Sequence, residues 1–149
     1  MMRYVLGFAF DTYGRLALIM KQRPDYQRGK YNGIGGKVEP TDESLAHAME
    51  REFREETGIT VPHDQWRQCA TMGREGVWEV AVFTTRHKDV ENIKTTTDEE
   101  VRLVTCRWFH NNEHLAMENV PLLIQVALLK PGHSGQIPHV SLDYRADAA

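Results

Sequence analysis

Cysteine is scarce in this chain: Cys69 and Cys106 are the two among 149 residues. They form no C-x-x-C pair and show no metal-ligand spacing, which excludes a disulfide framework and a thiolate zinc site. One bridge between them is conceivable, but two lone thiols in a reducing cytoplasm is the better reading. Long apolar runs are also missing, and no stretch approaches the roughly 18 residues of a membrane span. The N-terminal run Met1 to Phe10 is cut off by Asp11 and Arg15. It reads as a strand and not as a signal peptide. A basic excess is absent too, since 18 Lys and Arg stand against 21 Asp and Glu, for a formal charge of −3. A footprint for long nucleic acid is therefore not expected, although a small polyanion can still meet a local cluster of Lys, Arg and metal. No repeat, low-complexity tract or linker divides the sequence. What remains is an ordinary composition, 41% hydrophobic and 26% charged, which suffices for one self-supporting domain over residues 1–149.

Tyr4 to Phe10 and Arg15 to Lys21 are rich in apolar and β-branched residues around the turn signal Tyr13-Gly14, and predict a β-hairpin. Arg23 to Lys30 reads as a loop. Asn32-Gly33-Ile34-Gly35-Gly36-Lys37 carries three glycines, which implies close backbone approach or positive φ. Its N–H groups and Lys37 suit phosphate oxygens. A helix is expected from about Glu43 to Thr57, capped by Thr41 or Asp42 and stopped by Gly58. Gln65 to Met72 and Val77 to Thr85 predict a second hairpin. Val101 to Phe109 reads as a strand, and Pro121 opens a helix through Leu129. Val140 to Tyr144 suits a short last strand. This order predicts an α/β protein, a mixed sheet with helices on both faces.

The central helix carries the chemistry. Leu45, Ala48 and Met49 share one face, and at about 100° per residue Glu52 and Glu56 continue it, with Glu55 at its border. A solvated helix would put its acids opposite the apolar stripe. Three carboxylates at this spacing repel one another, and they lie near the helix C-terminus, where the macrodipole disfavours anions. A divalent cation relieves these conflicts, and hard oxygen ligands suit Mg²⁺ or Mn²⁺. A solvated acidic patch paired with Arg51 and Arg54 is the bland alternative.

Gly36, Glu43 and the run Arg51-Glu52-Phe53-Arg54-Glu55-Glu56-Thr57-Gly58-Ile59 resemble the Nudix box, G-x5-E-x7-R-E-U-x-E-E-x-G-U with U bulky and apolar. From Glu43 onward the match is complete. Between Gly36 and Glu43 six residues stand in place of five, the extra one within Pro40-Thr41-Asp42. The segment Gly29 to Glu39 is similar to that of MutT-type hydrolases of oxidised purine nucleoside triphosphates. Arg107-Trp108-Phe109 is similar to a Trp-Phe strand found after the box in many members, and Leu142-Asp143-Tyr144 to a C-terminal strand.

The resemblance implies a Nudix-type α/β/α sandwich and metal-dependent attack of water on a phosphorus of a nucleoside diphosphate linked to X. For a nucleoside triphosphate the products would be monophosphate and pyrophosphate. ADP-ribose, a nucleotide sugar or a dinucleotide polyphosphate is the alternative substrate, and a non-catalytic nucleotide-binding module the alternative role. Carried over residue by residue, Glu52, Glu55 and Glu56 would bind Mg²⁺ or Mn²⁺ together with Gly36. Glu52 would be a candidate base, and Arg51 would orient the cluster. Glu99 or, preferred, Glu100 would supply a later acid. Asn32 would meet the base, Lys37 and Arg23 the phosphates, and Asn119, with Glu118 beside it, would add contacts near the last helix. The expected partner is a nucleotide, with no membrane; a homodimer stays open. His110 and His114 read as surface residues. Trp66, Trp78 and Trp108 read as core, and Tyr26 or Tyr31 as a base-stacking or locally packed aromatic.

Overall fold

Alternation along the first strand sets the layers of the molecule. In the computed structural model, which describes residues 1–145, β1 spans Met2–Phe10. Leu6, Phe8 and Phe10 point to one core, and Val5 and Ala9 to the other. The same period of two holds in β2 (Leu16–Met20), where Leu16 and Leu18 oppose Ala17 and Ile19. The remaining strands are β3 (Tyr31–Asn32), β4 (Ile34–Lys37), β5 (Arg67–Arg74), β6 (Trp78–Arg86), β7 (Val101–Val104) and β8 (Val140–Asp143). They form one mixed sheet with a main path β3-β2-β1-β6-β5-β8, while β4 pairs with β1 and β7 with β2. β1 runs parallel to β6, and β5 parallel to β8. Helix α1 (Leu45–Thr57) covers one face through Ala48, Met49 and Phe53. Helices α2 (Cys106–Asn111) and α3 (Val120–Ala127) cover the other through Phe109, Val120, Leu123 and Ile124. The architecture is thus an α/β/α sandwich, as expected. Among the described residues no helix is long and apolar enough to cross a membrane.

Local expectations are refined at three places. The first hairpin pairs only beside its turn, at Phe10 and Leu16, because β4 takes the edge of β1 and β7 that of β2. The cap of α1 is Ser44, whose extended backbone lets Oγ accept from the His47 N–H at 3.1 Å. Thr41 and Asp42 lie upstream, and Asp42 is spent on other bonds. Val101 to Phe109 is not one strand: it stops at Val104, and the Thr105 hydroxyl accepts from the Trp108 N–H at 3.0 Å to start α2. Arg107-Trp108-Phe109 is therefore helical. Gly58, the C-cap of α1, has φ 75° as a helix stop requires. The second hairpin and the last strand stand where expected.

Candidate active site

The glycine run is extended. It is strand β4, in register with β1 from Tyr4 opposite Lys37 to Gly7 opposite Ile34. The Gly33 N–H is taken by Asn32 Oδ1 at 2.8 Å. The glycines serve close approach, one of the two roles expected of them. A Cβ at Gly35 would lie 1.9 Å from the Val5 carbonyl oxygen, and one at Gly36 would lie 2.5 Å from the Glu52 carboxyl group. Strand β4 is thereby laid directly against α1 at Glu52.

Arg51 organises the acids of the helix. Its Nε and Nη2 donate to the two Asp42 oxygens at 2.9 and 2.8 Å. Nη2 also donates to the Lys37 carbonyl at 3.1 Å. Nη1 reaches Glu52 Oε1 at 2.8 Å and Glu55 Oε2 at 3.3 Å. The hydrogen bond from Arg51 holds the Asp42 carboxyl below its ordinary range, and Asp42 in turn keeps the guanidinium firmly charged. Asp42 stands six positions after Gly36, where the Nudix pattern has its first glutamate. Glu43 meets only the imidazole of His47, at 3.4 Å, and is exposed. The extra residue is thus accommodated after Asp42, at the entry to the helix.

Glu52 is buried, and burial pushes its carboxyl up, against the opposing pull of Arg51. Glu56 is half-buried and also raised, first by burial and then by Glu99 and Glu55, while a hydrogen bond from Thr97 works the other way. Glu55 is the exposed member. The acid that faces Glu56 from the later loop is Glu99, not Glu100. Glu99 is buried, accepting from Lys21 Nζ at 3.0 Å and from the Gln22 N–H at 2.6 Å. Burial tends to raise its carboxyl, but these bonds outweigh burial and hold it low. Glu100 is exposed, with its charge felt at Arg102. Glu99 lies in the bend that precedes β7 and Glu100 directly before the strand, and this separates the two acids.

A divalent cation would find oxygen donors only: Glu52, Glu55, Glu56 and the backbone at Gly36. That chemistry fits a hard ion such as Mg²⁺ or Mn²⁺, and the absence of a side chain at Gly36 leaves room for the Glu52 carboxyl group. Among the described residues no three acidic, His or Cys side chains converge as a finished cage. Arg51 stands between Glu52 and Glu55, and Thr97 holds Glu56.

Gly36 and Lys37 also line a cavity of about 960 Å³, which lies over β1, β5 and β6 on the face opposite α1. Its other lining includes Lys21, Tyr26, Gln27, Asn32, Trp78, Glu118, Asn119 and Tyr144. Because Asn32 Oδ1 takes a backbone N–H, its Nδ2 is the donor, and Gln27 Oε1 accepts it at 3.3 Å. Asn119 Nδ2 approaches the Tyr144 hydroxyl at 3.3 Å, and Tyr144 lies against Trp78 with ring centroids 5.3 Å apart. Arg23 stays outside, paired with Asp98 on the surface. Tyr31 is buried, with its hydroxyl on Arg102. Trp66 is core as expected, Trp78 is a cavity wall, and Trp108 is half-buried on α2. Gln27, Trp78 and Tyr144 were not singled out for the cavity, and no local pattern marks them: one comes from the loop before β3, one from the start of β6 and one from just beyond β8.

Comparison with known proteins agrees with this geometry. The model of the NUDIX domain family matches residues 2–126. The oxidized purine nucleoside triphosphate hydrolase of Danio rerio is 50% identical over 48 residues, which is 32% of this chain and 30% of that protein. The MutT protein of Bacillus halodurans superposes with a TM-score of 0.68 at 20% identity, over 97% of this chain and 90% of its own. A bifunctional NMN adenylyltransferase/ADP ribose pyrophosphatase from Francisella tularensis, complexed with AMP and a manganese ion, gives 0.67 at 16% identity, over 85% of this chain and 41% of its own.

Proposed function

The chain belongs to the NUDIX domain family, and on that premise we propose that it hydrolyses a phosphoanhydride bond of a nucleoside triphosphate, releasing monophosphate and pyrophosphate. The observation that carries this reading is the shared lining of one cavity. Gly36 and Lys37, beside the carboxylate helix, line the same space as Asn32, Glu118, Asn119, Trp78 and Tyr144. Phosphates belong at the first group and a purine at the second, where amide and carboxylate groups meet its edge and the aromatic rings its face. A purine bearing an oxidised ring is the substrate that the partial likeness to the zebrafish protein favours. The likeness to the Francisella protein keeps ADP-ribose as the second candidate.

Glu52, Glu55, Glu56 and the Gly36 backbone would hold Mg²⁺ or Mn²⁺. When bound, such an ion neutralises phosphate charge and acidifies a coordinated water. The chain's own groups divide the remaining tasks. Arg51 fixes Glu52 and Glu55 through one nitrogen. Glu52, raised by burial, is suited to accept a proton from the attacking water. Lys37 and Lys21 add positive charge in the cavity. Asn32 presents a fixed amide donor to the base.

The test is a panel of ordinary and oxidised nucleoside triphosphates, ADP-ribose, nucleotide sugars and dinucleotide polyphosphates, with Mg²⁺ or Mn²⁺ and product identification. Pyrophosphate as product supports the reading, and two phosphorylated fragments from ADP-ribose would replace it. A Glu56→Gln variant with undiminished metal-dependent hydrolysis would remove the catalytic assignment. Nucleotide binding without hydrolysis across the panel would leave a binding module.

A further inference from the structure

The polar run Thr95-Thr96-Thr97-Asp98-Glu99 lies outside the box, and apart from Glu99 its residues have no part in the chemistry above. Its side chains are nevertheless committed. Thr96 Oγ1 donates to the Glu55 carbonyl, and the neighbouring Lys94 N–H donates to the Thr57 carbonyl at 3.1 Å. Both bonds fasten the run to the C-terminal end of α1. Its far end is fastened to the cavity by the buried Glu99, which holds Lys21 at 3.0 Å. Between these anchors sits Thr97. Its Oγ1 lies 3.1 Å from the Glu99 N–H and 3.0 Å from Glu56 Oε2.

The direction of these two bonds is forced. A backbone N–H only donates, so Thr97 Oγ1 accepts from Glu99. An ionised carboxylate only accepts, so the Thr97 hydroxyl proton goes to Glu56. One Glu56 oxygen is thereby tied down, and the other is left without a hydrogen bond among the described residues. We propose that Thr97 is a positioning residue for Glu56, presenting its free oxygen to the divalent cation from a strap pinned to both α1 and Lys21. This inference rests on the reading of Glu56 as a metal ligand. A hydroxyl that orients a ligating carboxylate acts on metal affinity itself, before any substrate is present.

The experiment is Mn²⁺ titration of the substrate-free protein, by calorimetry or by the loss of the free-ion EPR signal. Wild type, Thr97→Val, Thr97→Ser and Glu56→Gln are compared. Thr97 is exposed and valine has its shape, so the fold is retained. Thr97→Val is expected to bind Mn²⁺ about 10- to 100-fold more weakly. Thr97→Ser, which keeps the hydroxyl, is expected to restore wild-type binding, and Glu56→Gln to lose at least as much as Thr97→Val. Wild-type affinity in Thr97→Val beside a weakened Glu56→Gln overturns the role of Thr97. Equal weakening in Thr97→Val and Thr97→Ser also overturns it, since keeping the hydroxyl would then not preserve binding. Unchanged affinity in Glu56→Gln instead removes the metal reading beneath it.

Discussion

Arg51 gives two nitrogens to Asp42 and none to Glu43, although the two acids are adjacent in sequence. Their substitutions should therefore separate. Asp42→Ala is expected to lower stability by about 2 kcal/mol, the scale of a charged hydrogen-bond pair. Glu43→Ala should stay within about 0.5 kcal/mol, as for an exposed side chain. Denaturant melts of both variants check this. The folded Asp42 carboxyl titrates below its ordinary value of 3.8, so its contribution is complete above that pH. It is lost as pH falls through the folded value, and the gap between wild type and Asp42→Ala should close under acid. Glu99 and Glu100 form a second such pair. Glu99→Gln removes the charge opposite Lys21 and should cut hydrolysis about tenfold or more, whereas Glu100→Gln should leave kcat/KM near wild type. The sequence already placed Arg51, Glu52, Glu55 and Glu56 on one helix, because helical spacing is local. It preferred Glu100, whereas Glu99 is the acid that faces Glu56, since the start of β7 sets their phase. It put Glu43 in the box because a pattern aligns letters, whereas Arg51 reaches the acid that the loop brings near.

Elements were legible where period and caps agree and illegible where pairing partners decide. The alternation in β1 and the stop at Gly58 both read directly. Arg107 to Phe109 did not: its apolar letters suit a strand, and the Thr105 cap outweighs them. The glycine run was legible as a place of close approach or positive φ, and the structure selects close approach; only the partner strand reveals what is approached, a carbonyl 1.9 Å from a Cβ at Gly35. Backbone meets backbone there, and no rotamer relieves it. Gly35→Ala should cost about 3 kcal/mol or more, as severe overpacking does. Loss of the α1 cap in Ser44→Ala should cost about 1 kcal/mol. Urea midpoints of the two variants rank them, and a milder Gly35→Ala would mean that β4 lies less tightly on β1 than described.

For the molecule as a whole, metal and folding should be linked. If Glu52, Glu55 and Glu56 bind a cation in the folded state only, Mn²⁺ at a hundred times its Kd adds about 2.7 kcal/mol of stability. The melting temperature should rise with Mn²⁺ in wild type and stay flat in Glu56→Gln. A rise of equal size in both would place the ion elsewhere. The layered architecture was legible from the order of strand and helix signals, whereas the cavity was not, because its walls come from distant parts of the chain. That distance has a consequence in time. Thr84 donates to the Phe8 carbonyl across the central parallel pair, 76 residues away. Closing a loop of that length costs about 4 kcal/mol of chain entropy before the pairing returns anything. The middle of the sheet is thus its slowest seam to close, and refolding belongs in the millisecond-to-second range of non-local topologies. A nucleotide pocket roofed over this seam cannot precede it, so binding competence during refolding should rise with the last kinetic phase and not with helix formation.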